Sequence, residues 1–302
     1  MKIEFPLPEI QYFPSDKIQE FDGFSILIPS WNNLEMLRFC VDSIQENSAF
    51  KHQIVLHINE GSDASLDWAR RSGLDFSFSA QNAGVCLAMN AMASLAKRPF
   101  LLYLNDDMYV SKKWDKPLME KALSFTHSLW YLSGTMVEPL PSSSKNVLAP
   151  HHFGRSPGDF QKEDFLAFAN QISFSDWLGA SWPPSLIPKK TFEAVGGYSP
   201  EFSPGMYSDP DFSMKLWMFG VRDFLGLGNS IVYHFRSHST GRVKKNNGRK
   251  QFAQKWGIPA SWFYKHVLKM GQPISESSKL HFSKGISYFL ARFRAIYISY
   301  FS

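Results

Sequence analysis

Pro99-Phe100-Leu101-Leu102-Tyr103-Leu104-Asn105-Asp106-Asp107 runs an apolar stretch straight into an amide and two carboxylates. The run predicts a buried strand over 100–105, and in open α/β sheets ligands gather beyond the carboxyl ends of such strands. Adjacent carboxylates there suit a hard divalent cation, Mg²⁺ or Mn²⁺, which keeps waters and shares its shell with phosphate oxygens. They equally suit a tight turn or the cap of a following helix. Separating the two readings takes the rest of the chain.

Outward from this stretch, strand-like and helix-like segments alternate from residue 24 onward. Strands are expected at 24–29, 53–59, 75–79 and 100–105, with helices between them at 33–46, 65–71 and 84–96. Leu34, Leu37, Val41 and Ile44 recur at helical spacing in the first of these helices. Such alternation predicts crossover units and an α/β fold with a mostly parallel sheet. A further strand is expected at 129–137. Regularity then fails from Glu138 to about Asn170, a stretch holding Pro139, Pro141, Pro150 and Pro157, and a long surface loop that could cover a site is expected there. A helix follows at 189–195, stopped by Gly196-Gly197. Another begins at Asp209 or Pro210, proline suiting a first helical turn, and a last strand, 230–235, carries His234 near its end.

The chain has 302 residues, 44% hydrophobic and 16% aromatic, enough to bury a large core. Its two cysteines, Cys40 and Cys86, sit in apolar helical patterns and support neither a disulfide framework nor a thiolate metal site. The opening residues lack the apolar core of a secretory signal, and no apolar run is long enough to span a bilayer. A cytoplasmic location is expected. Charge is uneven: residues 241–302 hold 12 Lys and Arg against one acidic residue, Glu276, a local +11 that leaves −6 for residues 1–240. A division into a catalytic unit, 1–240, and a basic, aromatic helical extension, 241–302, follows from this shift. An anionic membrane surface touched peripherally at its inner face or a phosphate-bearing acceptor suits the extension, and so does packing on its own domain or on a second subunit. No nucleic-acid motif accompanies the charge, so no nucleic-acid partner is expected.

In chain order the sequence offers Pro29-Ser30-Trp31-Asn32, Asn59-Glu60-Gly61-Ser62-Asp63, Asn82-Ala83-Gly84, Asn105-Asp106-Asp107, Asp209-Pro210-Asp211 and His234, most of them beside a strand end. In this order they resemble the family 2 glycosyltransferases of the GT-A fold, over about residues 24–240. The resemblance implies a Rossmann-like, mixed but mostly parallel sheet flanked by helices. It implies that Pro29, Ser30, Trp31 and Asn32 border the nucleotide base, that Asn59, Glu60 and Asp63 hold base or ribose, and that Asn82 and Gly84 open a donor-binding turn. Gly84 could also serve only the backbone turn. Asn105-Asp106-Asp107 is similar to the family's DxD element, with Asp107 as metal ligand and Asp106 facing ribose or metal. His234 matches a metal- or diphosphate-contacting histidine, with His238 as fallback. Asp209 matches the catalytic base, although Ser208 stands where the family has glutamate. Helix capping is its structural alternative, and capping amides would lower its pKa.

These assignments imply transfer from a nucleotide-diphosphate sugar to a hydroxyl of a glycan or lipid-linked acceptor, assisted by Mn²⁺ or Mg²⁺, in surface polysaccharide synthesis. One base without a covalent nucleophile implies inversion. Trp182, Tyr207 and Asp211 fall on the acceptor side, where flat rings stack on sugars, though core packing explains the aromatic residues equally well. The alternative is a non-catalytic nucleotide- or glycan-binding protein on a transferase scaffold, motivated by Asn105 and Ser208. A dehydrogenase is disfavoured because no G-x-G-x-x-G follows the first strand.

Overall fold

The structure, a computed structural model, describes residues 8–17, 20–236, 245–275 and 280–301. Its centre is one mixed sheet covered on both faces. The first strands are β1 (Gln11–Phe13), β2 (Ser25–Trp31), β3 (Gln53–Asn59), β4 (Asp75–Ser79), β5 (Phe100–Tyr103) and β6 (Met108–Val110). They are followed by β7 (Trp130–Val137), β8 (Val147–Leu148), β9 (Trp177–Leu178), β10 (Ser185–Pro188) and β11 (Asp223–His234). The order across the sheet is β1-β4-β3-β2-β5-β10-β7-β11-β6, with β8 beside β7 and β9 beside β11. β4, β3, β2 and β5 are parallel, whereas β10 runs antiparallel to both β5 and β7.

Burial on both faces explains the unbroken apolar runs that announced these strands. Ile26 and Ile28 enter one hydrophobic cluster while Leu27, pointing the other way, enters the second. The helices are α1 (Leu34–Asn47), α2 (Ser65–Ser72), α3 (Gly84–Leu95), α4 (Asp115–Ser124), α5 (Lys162–Gln171), α6 (Lys189–Ala194), α7 (Ser208–Phe219), α8 (Gly248–Trp256), α9 (Ala260–Trp262) and α10 (Ile286–Phe301). Leu37, Val41 and Ile44, read from their spacing, lie on the buried face of α1 with Met36 and Cys40, whereas Leu34 at its start is half-buried.

Three regions differ from expectation. The stretch expected to be irregular carries α5, whose Phe165 is fully buried in an aromatic cluster with Phe153, Phe160 and Tyr233. Only this one residue of α5 is buried, so the helix lacks the apolar stripe that would have marked it. The last strand begins at Asp223 rather than 230, its register against β7 shifting between Leu227 and Ile231. Finally, β6 and β10 are three and four residues long, too short for a period to show.

The boundary expected at residue 240 lies outside the described residues, as does His238. Phe252, Ile258, Phe263, Val267 and Leu268, beyond that boundary, lie in the same hydrophobic cluster as Leu27 and Val55 of the sheet. Among the described residues no helix is long and apolar enough to cross a membrane.

Candidate active site

At the carboxyl ends of β2, β3 and β5, where parallel strands leave their loops, lies a cavity of about 480 Å³. Its wall is made of Pro29, Ser30, Trp31, Asn59, Asn82, Gly84, Asn105, Asp106, Asp107, Asp209 and His234, joined by Val85, Tyr103, Leu140, Pro204, Gly205, Met206, Ser208 and Arg236. Seven segments spread over about two hundred residues thus meet at one place. A second recess, about 390 Å³, lies near Ser15, His52 and Asp75, where Lys97 pairs with Asp75 and His52 with Asp115 behind the wall.

Strand pairing brings the two ends of the charged wall together. β6 begins directly after Asp107 and pairs antiparallel with β11, setting Met108 opposite His234, and the Phe235 N–H donates to the Asp107 carbonyl. His234 Nε2 then lies 3.4 Å from Asp107 Oδ1. On its other side, Nδ1 lies 2.8 Å from Oε1 of Glu138, which follows β7. Arg236 reaches the other Glu138 oxygen at 3.5 Å. Burial pushes the His234 pKa down, but Asp107 and Glu138 together override it and hold it up at about 10. Asp106 is oriented separately, accepting from Ser30 Oγ at 2.7 Å and Asn33 Nδ2 at 3.2 Å.

A divalent cation can be tested against this geometry. If Nδ1–H donates to Glu138, the Nε2 lone pair faces an Asp107 oxygen, and two acceptors tolerate that distance only with a proton or cation between them. The carboxylate behind the imidazole is the arrangement that fixes a histidine ligand's tautomer and raises its basicity. One carboxylate and one imidazole, leaving room for waters and phosphate oxygens, fit Mn²⁺ or Mg²⁺. Among the described residues no group of three or more His, Cys, Asp and Glu forms a complete protein cage.

Asp209 is placed differently. It sits in the first turn of α7, whose N-cap is Tyr207 with a left-handed φ of 68°, and no side chain caps that end. It makes no ion pair among the described residues, and burial raises its pKa to about 7, the nearby Tyr198 hydroxyl offsetting this slightly. A capping role would have pulled the value the other way.

Gly84 has φ +74°, and a Cβ there would meet Pro204 Cα at 2.6 Å, so both conformation and contact demand glycine. Asn82 Oδ1 accepts from the Gly84 N–H at 2.9 Å. Asn59 Oδ1 accepts from the Ala83 N–H at 2.8 Å and from Ser79 Oγ at 3.2 Å, so its amide ties two loops together.

The other expected residues lie outside the cavity wall. Asn32 binds Glu60 Oε2 at 3.2 Å and the Ser62 N–H at 2.9 Å. Asp63 accepts from the Leu34 N–H at 2.7 Å, capping α1, and from the Ser65 N–H at 3.1 Å. Asp211 is buried against Trp256 Nε1 at 2.8 Å and Lys255 Nζ at 2.9 Å, clamping α8 to α7. Trp182 packs edge-on to Tyr264, and Tyr207 leans on Phe252. The sequence reading missed Glu138 and Arg236. A rule would have found the first: like Asp106, it is an acid directly following an apolar strand.

Residues 25–139 match the family model described as Glycosyl transferase family 2. Over this stretch, less than half of the chain, the sequence is similar to the family 2 glycosyl transferases. The fold is also similar to that of solved GT-A structures. GalNAc-T7, solved with UDP, GalNAc and Mn²⁺, superposes with a TM-score of 0.55 at 17% identity, covering 90% of this chain and 54% of its own. S. aureus TarS gives 0.50 at 16% identity over 77% of this chain and 39% of its own. The mannosyltransferase PcManGT from Pyrobaculum calidifontis, in complex with GDP-Man and Mn²⁺, gives 0.49 at 14% identity over 95% and 73%. The chain spans less than two thirds of TarS and of GalNAc-T7, and 58% of the first 349 residues of TarS. No curated protein sequence matches it.

Proposed function

We propose that the protein is an inverting, cation-assisted glycosyltransferase that moves a sugar from a nucleotide-diphosphate donor to a hydroxyl of a glycan or lipid-linked acceptor, working at the inner face of a membrane in surface polysaccharide synthesis. One observation carries the reading: Asp107 with His234, and Asp209, line a single cavity at the strand ends of the family 2 stretch. GalNAc-T7, crystallised with UDP and Mn²⁺ on the same fold, supports a nucleotide-sugar donor and a divalent cation.

The donor side is formed by Pro29, Ser30 and Trp31, with Asn82, Gly84 and Asp106 completing it; Asn32, Glu60 and Asp63 stand just outside. Asp107 and His234 would hold Mn²⁺ or Mg²⁺, which neutralises the diphosphate as the glycosidic bond breaks. Glu138 keeps the imidazole aimed, and Arg236 adds a fixed positive charge to the same wall. Asp209 takes the acceptor's proton. With a pKa of about 7 it is about half ionised at neutral pH and basic enough to accept one, the compromise that suits a general base. A single base implies one in-line displacement and inversion at the sugar carbon.

Asn105 and Ser208, the departures from the family pattern, motivate the alternative of a non-catalytic nucleotide- or glycan-binding protein on a transferase frame. A panel of UDP- and GDP-sugars with Mn²⁺, read by release of nucleotide diphosphate, separates the two. Transfer or hydrolysis with at least one donor, lost in Asp209→Asn, is expected. Binding of UDP or GDP without turnover of any donor would favour the alternative.

A further inference from the structure

α10 carries the least ordinary surface of the molecule. Ile286, Phe289, Leu290, Phe293, Ile296, Tyr297 and Tyr300 are between 52% and 81% exposed, whereas Ala291, Ala295 and Ile298 are at most 4% exposed. At about 100° per residue the seven exposed apolar side chains fall within an arc of roughly 120°, and the three buried ones within the opposite side. Arg292 stands just outside one edge of the apolar arc and Arg294 just outside the other; both are exposed. No acidic residue occurs on the helix.

We propose that α10 lies in the plane of an anionic membrane surface, its apolar arc among the acyl chains and its two flanking arginines among the headgroups. This deepens the proposed function by naming where the acceptor is met, and it rests on that reading for the acceptor alone. An apolar arc edged by arginines, on a helix whose opposite side packs on its own domain, is the pattern of a helix lying flat in an interface. A stripe at i, i+3, i+4, i+7 also suits a second copy of the chain, but self-pairing would bring further arginines to the seam with no acid on either helix to answer them. The surplus of +11 over residues 241–302 likewise calls for an anionic partner.

The attachment of α10 links this surface to the site. Its buried face meets Ala253 of α8, and Gln254 Nε2 donates to the Ser299 carbonyl. Just ahead of α8, Asn246 exchanges two hydrogen bonds with the Met206 backbone, each 3.1 Å, and Met206 lines the cavity beside Asp209. A membrane beneath α10 is thus tied through one helix to the wall that carries the base, which suits an acceptor held on a lipid.

The full chain is mixed with vesicles of phosphatidylcholine alone or with about 30% phosphatidylglycerol, and partitioning is measured by flotation. Binding at least about tenfold tighter to the anionic vesicles is expected, weakened by salt and reduced about tenfold again in Phe289→Asp/Phe293→Asp. Because both side chains are exposed, the thermal transition should not move, which keeps a folding defect distinguishable. Equal partitioning of wild type and variant, or no vesicle binding, overturns the proposal. So does a dimer in light scattering that the same substitutions abolish, which would assign the face to a second copy. Donor hydrolysis without vesicles should survive the substitutions. Membrane binding by a protein that turns over no donor would leave the helix's role standing and remove the transferase reading alone.

Discussion

Asp107 and Asp209 look into the same cavity from environments opposite in kind. Asp107 faces an imidazole that a second carboxylate holds from behind, so its surroundings are arranged for a positive charge. Asp209 has no ionic partner among the described residues, and burial lifts its pKa to about 7. Two aspartates within one fold therefore acquire different chemistry from their neighbours: one suited to hosting a cation, the other to exchanging a proton. Two carboxylates with one paired to a cationic ring and the other buried without an ionic partner are the kind of pair between which catalytic roles are divided.

The comparison breaks most sharply at Asp209. Asp209→Asn should lower transfer turnover by about 10³-fold while leaving nucleotide-diphosphate affinity unchanged. Wild-type turnover in this variant would remove the base. The same substitution should stabilise the protein at pH 8. A carboxyl whose pKa rises from 3.8 unfolded to about 7 folded binds its proton more tightly in the native state, so stability falls as pH climbs between those values and stays low above them. Asparagine escapes this loss, worth up to about 4 kcal/mol, and urea unfolding at pH 8 and pH 4 should show the gain only at the higher pH. Wild-type turnover should fall about tenfold per unit as pH drops below 7.

On the other wall, Asp107→Asn should weaken Mn²⁺ binding by at least about 100-fold, read by the paramagnetic resonance of the free aqueous ion rather than by activity. Glu138→Gln should weaken it by about tenfold, because the imidazole keeps a hydrogen-bond partner but loses the charge that raises its basicity. Unaltered Mn²⁺ affinity in both variants would show that the charged wall is only a structural ion-pair network.

How much of this was legible beforehand follows from range. β3 could be bounded from the sequence because its side chains are buried on both faces and that burial writes the apolar run Ile54-Val55-Leu56, while β4, Asp75–Ser79, shows the two-residue alternation of a strand. Most of the predicted motif residues share the cavity because the parallel strands end together. What could not be read depended on pairing between distant segments. His234 meets Asp107 only because a three-residue strand, β6, lies antiparallel to β11, and three residues carry no period. Glu138 enters by the parallel register of β7 and β11, which sets Val137 beside Tyr233. The environment of Asp209 depends on a buried tyrosine eleven residues earlier, and that of Asp211 on Lys255 and Trp256 from α8. Local sequence names the reactive groups; tertiary contacts decide their protonation.

Asp63 gives the mildest and most discriminating version of the same contrast. Its resemblance-based role is donor binding, whereas its visible contacts are with the first N–H of α1 and the N–H of Ser65. Partial burial works to raise its pKa, but the Ser65 hydroxyl and those backbone N–H groups outweigh it and hold the carboxyl below the usual range. The sign of the linkage is then opposite to that of Asp209: the stabilisation is present above about pH 4 and is lost as pH falls through the depressed native value. Asp63→Ala should cost about 1 kcal/mol at pH 7, the ordinary loss of a helix cap, and less at pH 3. Urea unfolding at the two pH values checks this, and a UDP titration of the same variant separates the roles. An unchanged dissociation constant assigns Asp63 to holding α1 alone, while a rise of about tenfold or more ties it to the donor as well, directly or through Asn33 at the same helix end, which donates to Asp106.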